Sequence, residues 1–367
     1  MKKRLFSLLL VSALVFTLSG CREKSLLRES DPVTLNFWHV YGEQSGSPMD
    51  LLVQEFNRTV GQEKGVRVQV TNLSSASKIG GFLKEAQKGG RDAPEMPDLF
   101  TCHISDATAL GSDNLVDWNA WFTAEELSNF VPGFLADGMT EDGTLLLFPI
   151  SKSTQLLMCN GSGFARSLAQ GHVVVSDLYS NTQVMTGDVL SGLGSSAAIL
   201  YYNDTVTYRD GTQEPMDLHV LPMPKTAGAD ALMTQAGVGL CAYKTTDQKA
   251  EAAALFVRWL TESERNLDFV AQTGYMPVRN GAFDAIENYD KFPEPTESYR
   301  QLYAALKIMQ ESYTPLSEPR FEGYYGKVSQ LYDGLRKMQQ ELPARAAAGE
   351  SIDTLAEETW ALLCAIH

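Results

Sequence analysis

Aromatic and polar side chains gather near the amino end of the chain, where a strand-like run closes. Trp38, His39, Tyr41 and Glu43 occupy the end of that run and the glycine-containing segment after it. Ring faces beside hydrogen-bonding groups suit a molecule that has both C–H faces and hydroxyls, such as a sugar. We therefore expect these four residues to line a ligand cleft, with core packing as the alternative for Trp38.

A second polar pair follows the predicted third strand. His103 and Ser105 come directly after the apolar run that ends at Cys102. Ligands of open α/β sheets lie beyond the carboxyl ends of the strands, where this pair would meet the residues that follow the first strand. Ligand contact and ordinary hydrogen bonding at a strand end are both open for it.

No motif in the sequence supports an enzymatic site. The run 192–197 fits G-x-G-x-x-A formally, but a β-like stretch follows it where a dinucleotide site needs a helix. The five histidines are scattered, and neither a P-loop nor an H-E-x-x-H pattern occurs. Because 45 acidic residues are present, the carboxylate pair of a glycosidase remains an alternative. We expect no catalytic residues, no metal and no cofactor.

Strand and helix patterns alternate through the part of the chain that would position these residues. Ser47 is placed to cap a helix that has Pro48 in its first turn. The predicted elements are strands over 33–40, 66–70 and 98–102, and helices that start at Pro48 and span 75–88. This order predicts a mostly parallel sheet covered by helices on both faces.

The second half of the sequence predicts a different, mixed arrangement. Its last quarter is helical, which suggests a second lobe of α/β character. The predicted elements are two short strands within 145–158, a Gly/Ser-rich turn at 191–196 that leads into a β-like run at 197–202, a strand over 219–222, and helices over 248–260, 296–312, 324–341 and 351–366.

The first twenty residues have the pattern of a secretory signal peptide. Lys2, Lys3 and Arg4 precede an apolar run over 5–16, which is shorter than the ~20 residues of a spanning helix. LSGC at 18–21 then resembles the lipobox of bacterial lipoproteins, in which the cysteine is acylated. We expect export and anchoring to the outer face of the cell membrane by lipid on Cys21, with a plain cleaved signal as the alternative. Residues 1–20 are the signal and 21–32 the tether.

Composition excludes some partners. The net charge is −15, and loss of the three basic residues of the leader leaves −18. Such a surface is repelled by phosphate backbones, so we expect no nucleic-acid partner. The remaining cysteines lie among apolar neighbours without metal-ligand spacing, so we favour buried thiols over a disulfide or a metal site. They are Cys102, Cys159, Cys241 and Cys364.

Nine short fragments resemble, in the same order, the extracellular solute-binding proteins of ABC importers, specifically the branch that takes sugars and oligosaccharides. The fragments lie between Leu35 and Phe283, and we extend the resemblance to residues 33–367. The fragments are LNFWHVYG, LLVQEFNRT, MPDLFTCHIS, LVDWNAWF, LLFPISKSTQLLMCN, SSAAILYY, LPMPKT, AGVGLCAYKT and TGYMPVRNGAF. The resemblance implies a periplasmic-binding-protein-like fold, with two α/β lobes joined by crossing hinge strands and a ligand cleft between the lobes.

The resemblance also implies the division into lobes. The crossings would lie near 146–158 and 236–246. The first lobe would comprise 33–148 and 243–290, and the second 149–242 and 291–367. Only about forty residues separate Asn160 from Tyr201, where the family has several helices, so we expect a second lobe that is shortened after 160 and binds weakly.

Further ligand-binding residues follow from the resemblance alone. Several have a structural alternative: turn formation for the two serines at 195–196, an ion pair or aromatic packing for Arg279, and core packing for the aromatic residues. They are Ser151, Thr154 and Gln155 in the first crossing, Ser195, Ser196, Tyr275 and Arg279, and Phe321, Tyr324 and Tyr325 in the second lobe.

The implied function is capture of a solute for a membrane permease by a monomeric binding protein. A sugar or oligosaccharide is the expected ligand. A glycerol-phosphate-type ligand, held by Arg279, Lys152 and a helix amino terminus, is the second choice. A structural or adhesive lipoprotein is a further alternative.

Overall fold

The structure has two main β-sheets with helices packed against them. It is a computed structural model that describes residues 25–41, 46–73, 76–160, 179–225, 228, 230–286, 288–294, 296–317, 319–321 and 324–350. Cys21, Glu43, Cys364 and the helix expected over 351–366 lie outside these residues. None of the helices described here is both long and apolar enough to span a membrane.

The first sheet is mostly parallel, as the alternating pattern predicts. Its strand order is β10-β3-β1-β2, in which β3 and β2 are parallel to β1 and β10 is antiparallel to β3. The strands are β1 Val33–His39, β2 Val66–Asn72, β3 Leu99–Cys102 and β10 Gly239–Ala242. The predicted boundary at 243 assigned β10 to the second lobe. All four of its residues are buried, however, and they cover the edge of β3.

Helix α1, Pro48–Arg58, begins where the capping pattern predicts. The Ser47 hydroxyl accepts a hydrogen bond from the amide of Asp50 at 3.3 Å. Met49, Val53 and Phe56 are buried against the first sheet. One apolar face and a side-chain cap therefore fix this helix beside β1.

The second sheet is antiparallel, with strand order β5-β4-β8. Its strands are β4 Gln155–Asn160, β5 Ser191–Ser195 and β8 Leu218–Leu221. Two predictions were wrong here. Residues 191–195 form a strand instead of a turn, and Ser196–Tyr201 is a 3-10 helix instead of a β-like run. Pairing with β4 overrides the turn propensity of glycine and serine.

The remaining elements are short connections and covering helices. The helices are α2 Val60–Lys64, α3 Ala76–Lys88, α4 Ile104–Leu110, α5 Ala124–Leu127, α6 Pro132–Asp137, α7 Ser180–Met185, α8 Asp247–Leu260, α9 Ser263–Thr273, α10 Ala282–Ile286, α11 Thr296–Ser312 and α12 Tyr324–Ala347. The strands are β6 Thr205–Thr207, β7 Gln213–Pro215, β9 Leu232–Thr234 and β11 Thr314–Leu316.

One large apolar core joins the two sheets. It contains Phe37 of the first sheet and Val220 of the second, with Met276 buried between other members. A smaller core under α3 contains Cys102 and Cys241, whose Sγ atoms lie 3.7 Å apart as free thiols. The preference for buried thiols is confirmed for these two cysteines.

Candidate functional site

The first crossing segment, residues 151–154, meets three other parts of the chain. Lys152 and Met276 form an isolated antiparallel bridge, and so do Ser153 and Ala236. The amide of Ser196 donates to the Thr154 carbonyl at 2.8 Å. Three segments that lie about 40, 80 and 120 residues further along the chain therefore meet at Lys152, Ser153 and Thr154.

Gly274 permits a further close contact, between its own segment and the 3-10 helix Ser196–Tyr201. Its φ is +68°, in the left-handed region that favours glycine. A Cβ on Gly274 would lie 2.7 Å from the Ile199 side chain and 2.9 Å from the Ser196 carbonyl oxygen. The absence of a side chain thus lets the GYMPVR segment lie directly on the 3-10 helix.

His39 joins the first strand to the first helix. Its Nε2 lies 2.8 Å from Asp50 Oδ1, and its Nδ1 accepts the amide proton of Tyr41 at 3.2 Å. The ring is fully buried, and burial lowers the pKa of His39 from 6.5 despite the opposing carboxylate. A neutral ring protonated on Nε2 satisfies both contacts, so both ring nitrogens of His39 are used within the protein.

Tyr41 and Ser151 likewise satisfy each other. The Tyr41 hydroxyl and the Ser151 Oγ are 3.0 Å apart, and both residues are buried. The ring of Tyr41 packs edge-on against Phe269 and Tyr275. Burial raises the pKa of Tyr41 well above its ordinary value. Tyr41 is therefore a core residue of the crossing, and its ring has no free face for stacking.

A buried ion pair continues this set of contacts. Lys152 Nζ binds Asp137 Oδ2 at the end of α6, and both side chains are at least nine-tenths buried. Arg320 donates to the carbonyls of Ala136, Asp137 and Met139 at the same helix end. A guanidinium at a helix carboxyl terminus satisfies acceptors that the helix leaves free.

Arg279 is also used within the protein. Its Nε donates to the Thr261 carbonyl, and its guanidinium lies 4.6 Å from the centre of the Phe130 ring. Burial lowers the pKa of Arg279, while Glu262 and Glu126 oppose the shift. The structure thus favours the structural alternative for Arg279. Lys152 is already neutralised by the Asp137 carboxylate, which disfavours it as a phosphate ligand.

Three predicted residues lie away from the crossing. Trp38 is half-buried and packs edge-on against Phe82 of α3, on the face of β1 opposite to His39. His103 is the N-cap residue of α4, and Ser105 is half-buried in the first turn of that helix. The core alternative holds for Trp38, because alternate strand residues point to opposite faces.

Three buried polar side chains beside the crossing have atoms without a hydrogen-bond partner among the described residues. They are Thr154 Oγ1, Ser196 Oγ and Gln235 Oε1, here called the unpaired cluster. Each residue is at least 97 % buried. Backbone contacts hold the three together, since Ser196 bonds to Thr154 and the Ser153–Ala236 bridge brings Gln235 alongside. Buried polar atoms normally bond to protein or to ordered water, so these three atoms are candidates for contact with a water or a ligand.

Ser195 and Gln155 flank the unpaired cluster. Ser195 Oγ accepts from the amide of Ala197 at 3.3 Å, which makes it the cap of the 3-10 helix. Gln155 begins β4, and its side chain lies outside the described part of the structure. Capping therefore accounts for Ser195.

The aromatic candidates differ in exposure. Tyr275 is half-buried beside Tyr41, and Phe321 is 41 % exposed with its ring edge-on to Tyr324 at 5.6 Å. Phe321 follows Arg320, which fixes this segment to the end of α6. The side chain of Tyr325 is outside the described residues. Lys327 Nζ also lies over the Phe321 ring, 5.3 Å from its centre. Phe321 is therefore a partly exposed ring on a segment that is tied to the crossing.

Gln235, Asp137 and Arg320 were missed by sequence reasoning. Gln235 stands directly before an apolar run, so its polarity at a buried position was the only available signal. Its Nε2 donates to Ser317 Oγ at 3.3 Å, and its amide donates to the Leu316 carbonyl. These bonds connect the unpaired cluster to the segment that carries Phe321.

Known proteins match the chain in one stretch of sequence and across most of the fold. Residues 164–294 match the family model of the bacterial extracellular solute-binding proteins. No protein of curated function matches the sequence at a significant level. The sequence-based resemblance to solute-binding proteins agrees with the family model.

Solved structures extend the match to about nine-tenths of the chain. The cyclic α-maltosyl-1,6-maltose binding protein of Arthrobacter globiformis is 14 % identical, with a TM-score of 0.62 over 91 % of this chain and 99 % of its own. UgpB of Mycobacterium tuberculosis, solved with glycerophosphocholine, is 15 % identical, with a TM-score of 0.61 over 91 % and 99 %. A family 1 extracellular solute-binding protein of Alicyclobacillus acidocaldarius is 13 % identical, with a TM-score of 0.62 over 90 % and 97 %. The predicted fold class is confirmed.

Proposed function

We propose that this chain, which has the fold of bacterial extracellular solute-binding proteins, captures a sugar or oligosaccharide outside the cell for an ABC importer. The observation that carries the proposal is the unpaired cluster, which Gln235 joins by hydrogen bonds to the segment that carries the partly exposed Phe321. Hydroxyl and amide groups that lack internal partners can bind sugar hydroxyls, and an aromatic ring can cover a C–H face.

The position of the unpaired cluster supports a ligand between the lobes. Thr154 lies in the first crossing, Ser196 follows β5, and Gln235 precedes β10 of the first sheet. A ligand that contacts all three residues would therefore touch the first crossing, the end of β5 and the residue that leads into the second crossing. Its binding would stabilise one arrangement of the lobes, and a permease could recognise that arrangement.

Relatives suggest two ligand classes, of which we favour the neutral one. The first structure named above is described as a cyclic maltosyl-maltose binding protein, and the second was solved with glycerophosphocholine. Lys152 and Arg279, our candidates for holding a phosphate, are engaged by Asp137 and the Thr261 carbonyl. A phosphate would have to compete with Asp137 for Lys152, whereas a sugar needs no cation.

The remaining parts of the proposal concern the anchor and the partners. We propose that Cys21 carries lipid, that the chain is a monomer, and that permease and ATPase subunits supply passage and energy. The Cys21→Ser variant should then lose incorporation of labelled fatty acid and detach from membranes. Incorporation that persists in this variant would contradict the lipid anchor but not the capture of sugar.

Ligand-dependent thermal stabilisation tests the function. The full chain would be screened against maltose, maltodextrins, cyclic oligosaccharides, glycerol 3-phosphate and glycerophosphocholine. A ligand present at 100 times its Kd stabilises a protein by about 2.7 kcal/mol, which gives a clear rise in Tm. A response to phosphates alone would favour the second ligand class. Hydrolysis of an oligosaccharide would indicate a glycosidase, and no response to the whole panel would contradict the proposal.

A further inference from the structure

Residues 25–32, here called the docked segment, are bound to the first sheet's helices rather than extending freely. The Glu251 carboxylate of α8 accepts from the Ser25 hydroxyl at 2.7 Å and from the Leu26 amide at 2.8 Å. The side-chain amide of Gln248, one turn earlier, donates to the Asp31 carbonyl at 3.1 Å. Both ends of the segment are thus held by one helix.

The docked segment also fits the turn between α2 and β2. Its own turn is closed by a bond from the Asp31 amide to the Arg28 carbonyl at 3.1 Å. That carbonyl oxygen would lie 2.2 Å from a Cβ on Gly65, whose φ is +69°. Leu27 packs against the large core. Polar, steric and apolar contacts therefore agree on one docked position.

Docking shortens the reach of the anchor. Ser25 lies four positions after Cys21, and an extended chain of four residue steps spans at most about 14 Å. If residues 21–32 were a free tether, they would span about 40 Å. Glu251 therefore determines how far a lipid on Cys21 allows the first lobe to move from the bilayer.

We propose that the docked segment, held by Glu251, keeps the amino end of α8 and the Gly65 turn against the membrane surface. The docked segment joins β1 at Val33, whereas the crossing lies beyond the other end of that strand, His39. The edge of the first sheet remote from the candidate site is then the membrane-proximal edge. The membrane part of this inference rests on the proposed lipid anchor.

Hydrogen exchange of the full chain tests the docking. We expect the amides of the docked segment to exchange at least tenfold more slowly than in a free peptide. Glu251→Ala should abolish this protection, and so should Gly65→Ala. The matched controls should keep it: Glu85→Ala removes an exposed glutamate from α3, and Gly89→Ala alters a glycine of similar φ with no atom near its Cβ position. Equal exchange in all five proteins would overturn the docking.

Neutron reflectometry of the acylated chain tests the membrane part. On a supported bilayer of phosphatidylethanolamine and phosphatidylglycerol, the gap between lipid and protein should not exceed about 14 Å in the wild type. It should widen in Glu251→Ala but not in Glu85→Ala. An unchanged gap in Glu251→Ala would overturn the positioning. Wild-type chain that fails to attach would overturn both the lipid anchor and the positioning, while the exchange result and sugar binding would be unaffected.

Discussion

Two groups of buried polar side chains lie beside each other at the crossing, and they differ in whether the protein satisfies them. In the first, here called the paired cluster, His39 binds Asp50, Tyr41 binds Ser151, and Lys152 binds Asp137. In the unpaired cluster, the described residues supply no partner for Thr154 Oγ1, Ser196 Oγ or Gln235 Oε1.

This difference distinguishes side chains that stabilise the fold from side chains that are candidates for ligand binding. A buried polar group without a partner costs roughly 1–3 kcal/mol, so a fold retains few of them. In the paired cluster, hydrogen bonds and an ion pair within the protein offset the cost of burying the polar groups. The same contacts hold β1, α1 and α6 against the crossing. The unpaired cluster lacks such partners within the described structure, so a bound water or ligand would have to offset the cost of burying it. This makes it the better candidate for ligand contact.

The largest expected effect comes from breaking the buried ion pair of the paired cluster. Lys152→Met leaves the Asp137 carboxylate buried without its cation, so we expect a loss of about 3–5 kcal/mol in the free energy of unfolding, measured in urea. The double variant Lys152→Met/Asp137→Leu should recover most of that loss. A single variant within 1 kcal/mol of the wild type would show that the pair is not structural.

The accessible ring should matter to affinity and not to stability. Phe321→Ala should weaken sugar binding by about 2 kcal/mol, or roughly thirtyfold, measured by titration calorimetry. Tyr332→Ala on α12 removes an aromatic ring of similar exposure and should leave affinity unchanged. Trp38→Ala, by contrast, should lower stability more than affinity because its ring packs under α3. If Phe321→Ala binds as well as the wild type, the aromatic contact lies elsewhere.

Removing one hydroxyl from each cluster should affect the stability of the protein differently. Ser151→Ala leaves the Tyr41 hydroxyl unpaired and should destabilise the protein by about 1–3 kcal/mol. Thr154→Val removes a hydroxyl that has no described partner, so stability should stay level or rise by up to about 1 kcal/mol, while sugar affinity falls. Thermal unfolding with and without ligand measures both. Equal destabilisation by the two variants would abolish the distinction between the clusters.

The smallest effect is a pH dependence from His39. Its pKa is lowered in the folded protein, so the unfolded chain takes up a proton first as the pH falls below about 6.5. Stability should therefore decrease with acidification between 6.5 and the folded pKa, by at most about 1.4 kcal/mol per pH unit. His39→Gln should remove this slope relative to the wild type in urea unfolding at several pH values. An identical slope in the variant would assign the dependence to other groups.

The fold was more predictable than the site. The capping pattern at Ser47 and the alternating valines of β2 depend on near neighbours, and both features are present in the structure. The glycine- and serine-rich stretch at 191–195 was wrongly predicted as a turn, since its strand forms through pairing with β4, which is distant along the chain. Thr154 and Ser196 of the unpaired cluster were among the predicted ligand-binding residues. His39, Tyr41 and Ser151 were predicted on the same grounds, because their side chains are also polar, but they have hydrogen-bond partners within the protein.

The alternating strands and helices can be predicted from near neighbours along the chain, and the acidic charge and the residue types that could bind a polyol can be read from the composition. Which polar groups are already satisfied depends on tertiary packing. Asp50 pairs with His39 across eleven residues, Asp137 with Lys152 across fifteen, and Ser151 with Tyr41 across 110. No periodicity encodes such contacts, since they arise when distant segments pack together. Hydrogen-bond satisfaction is a property of that packing, and it assigns side chains of the same type to structure or to ligand.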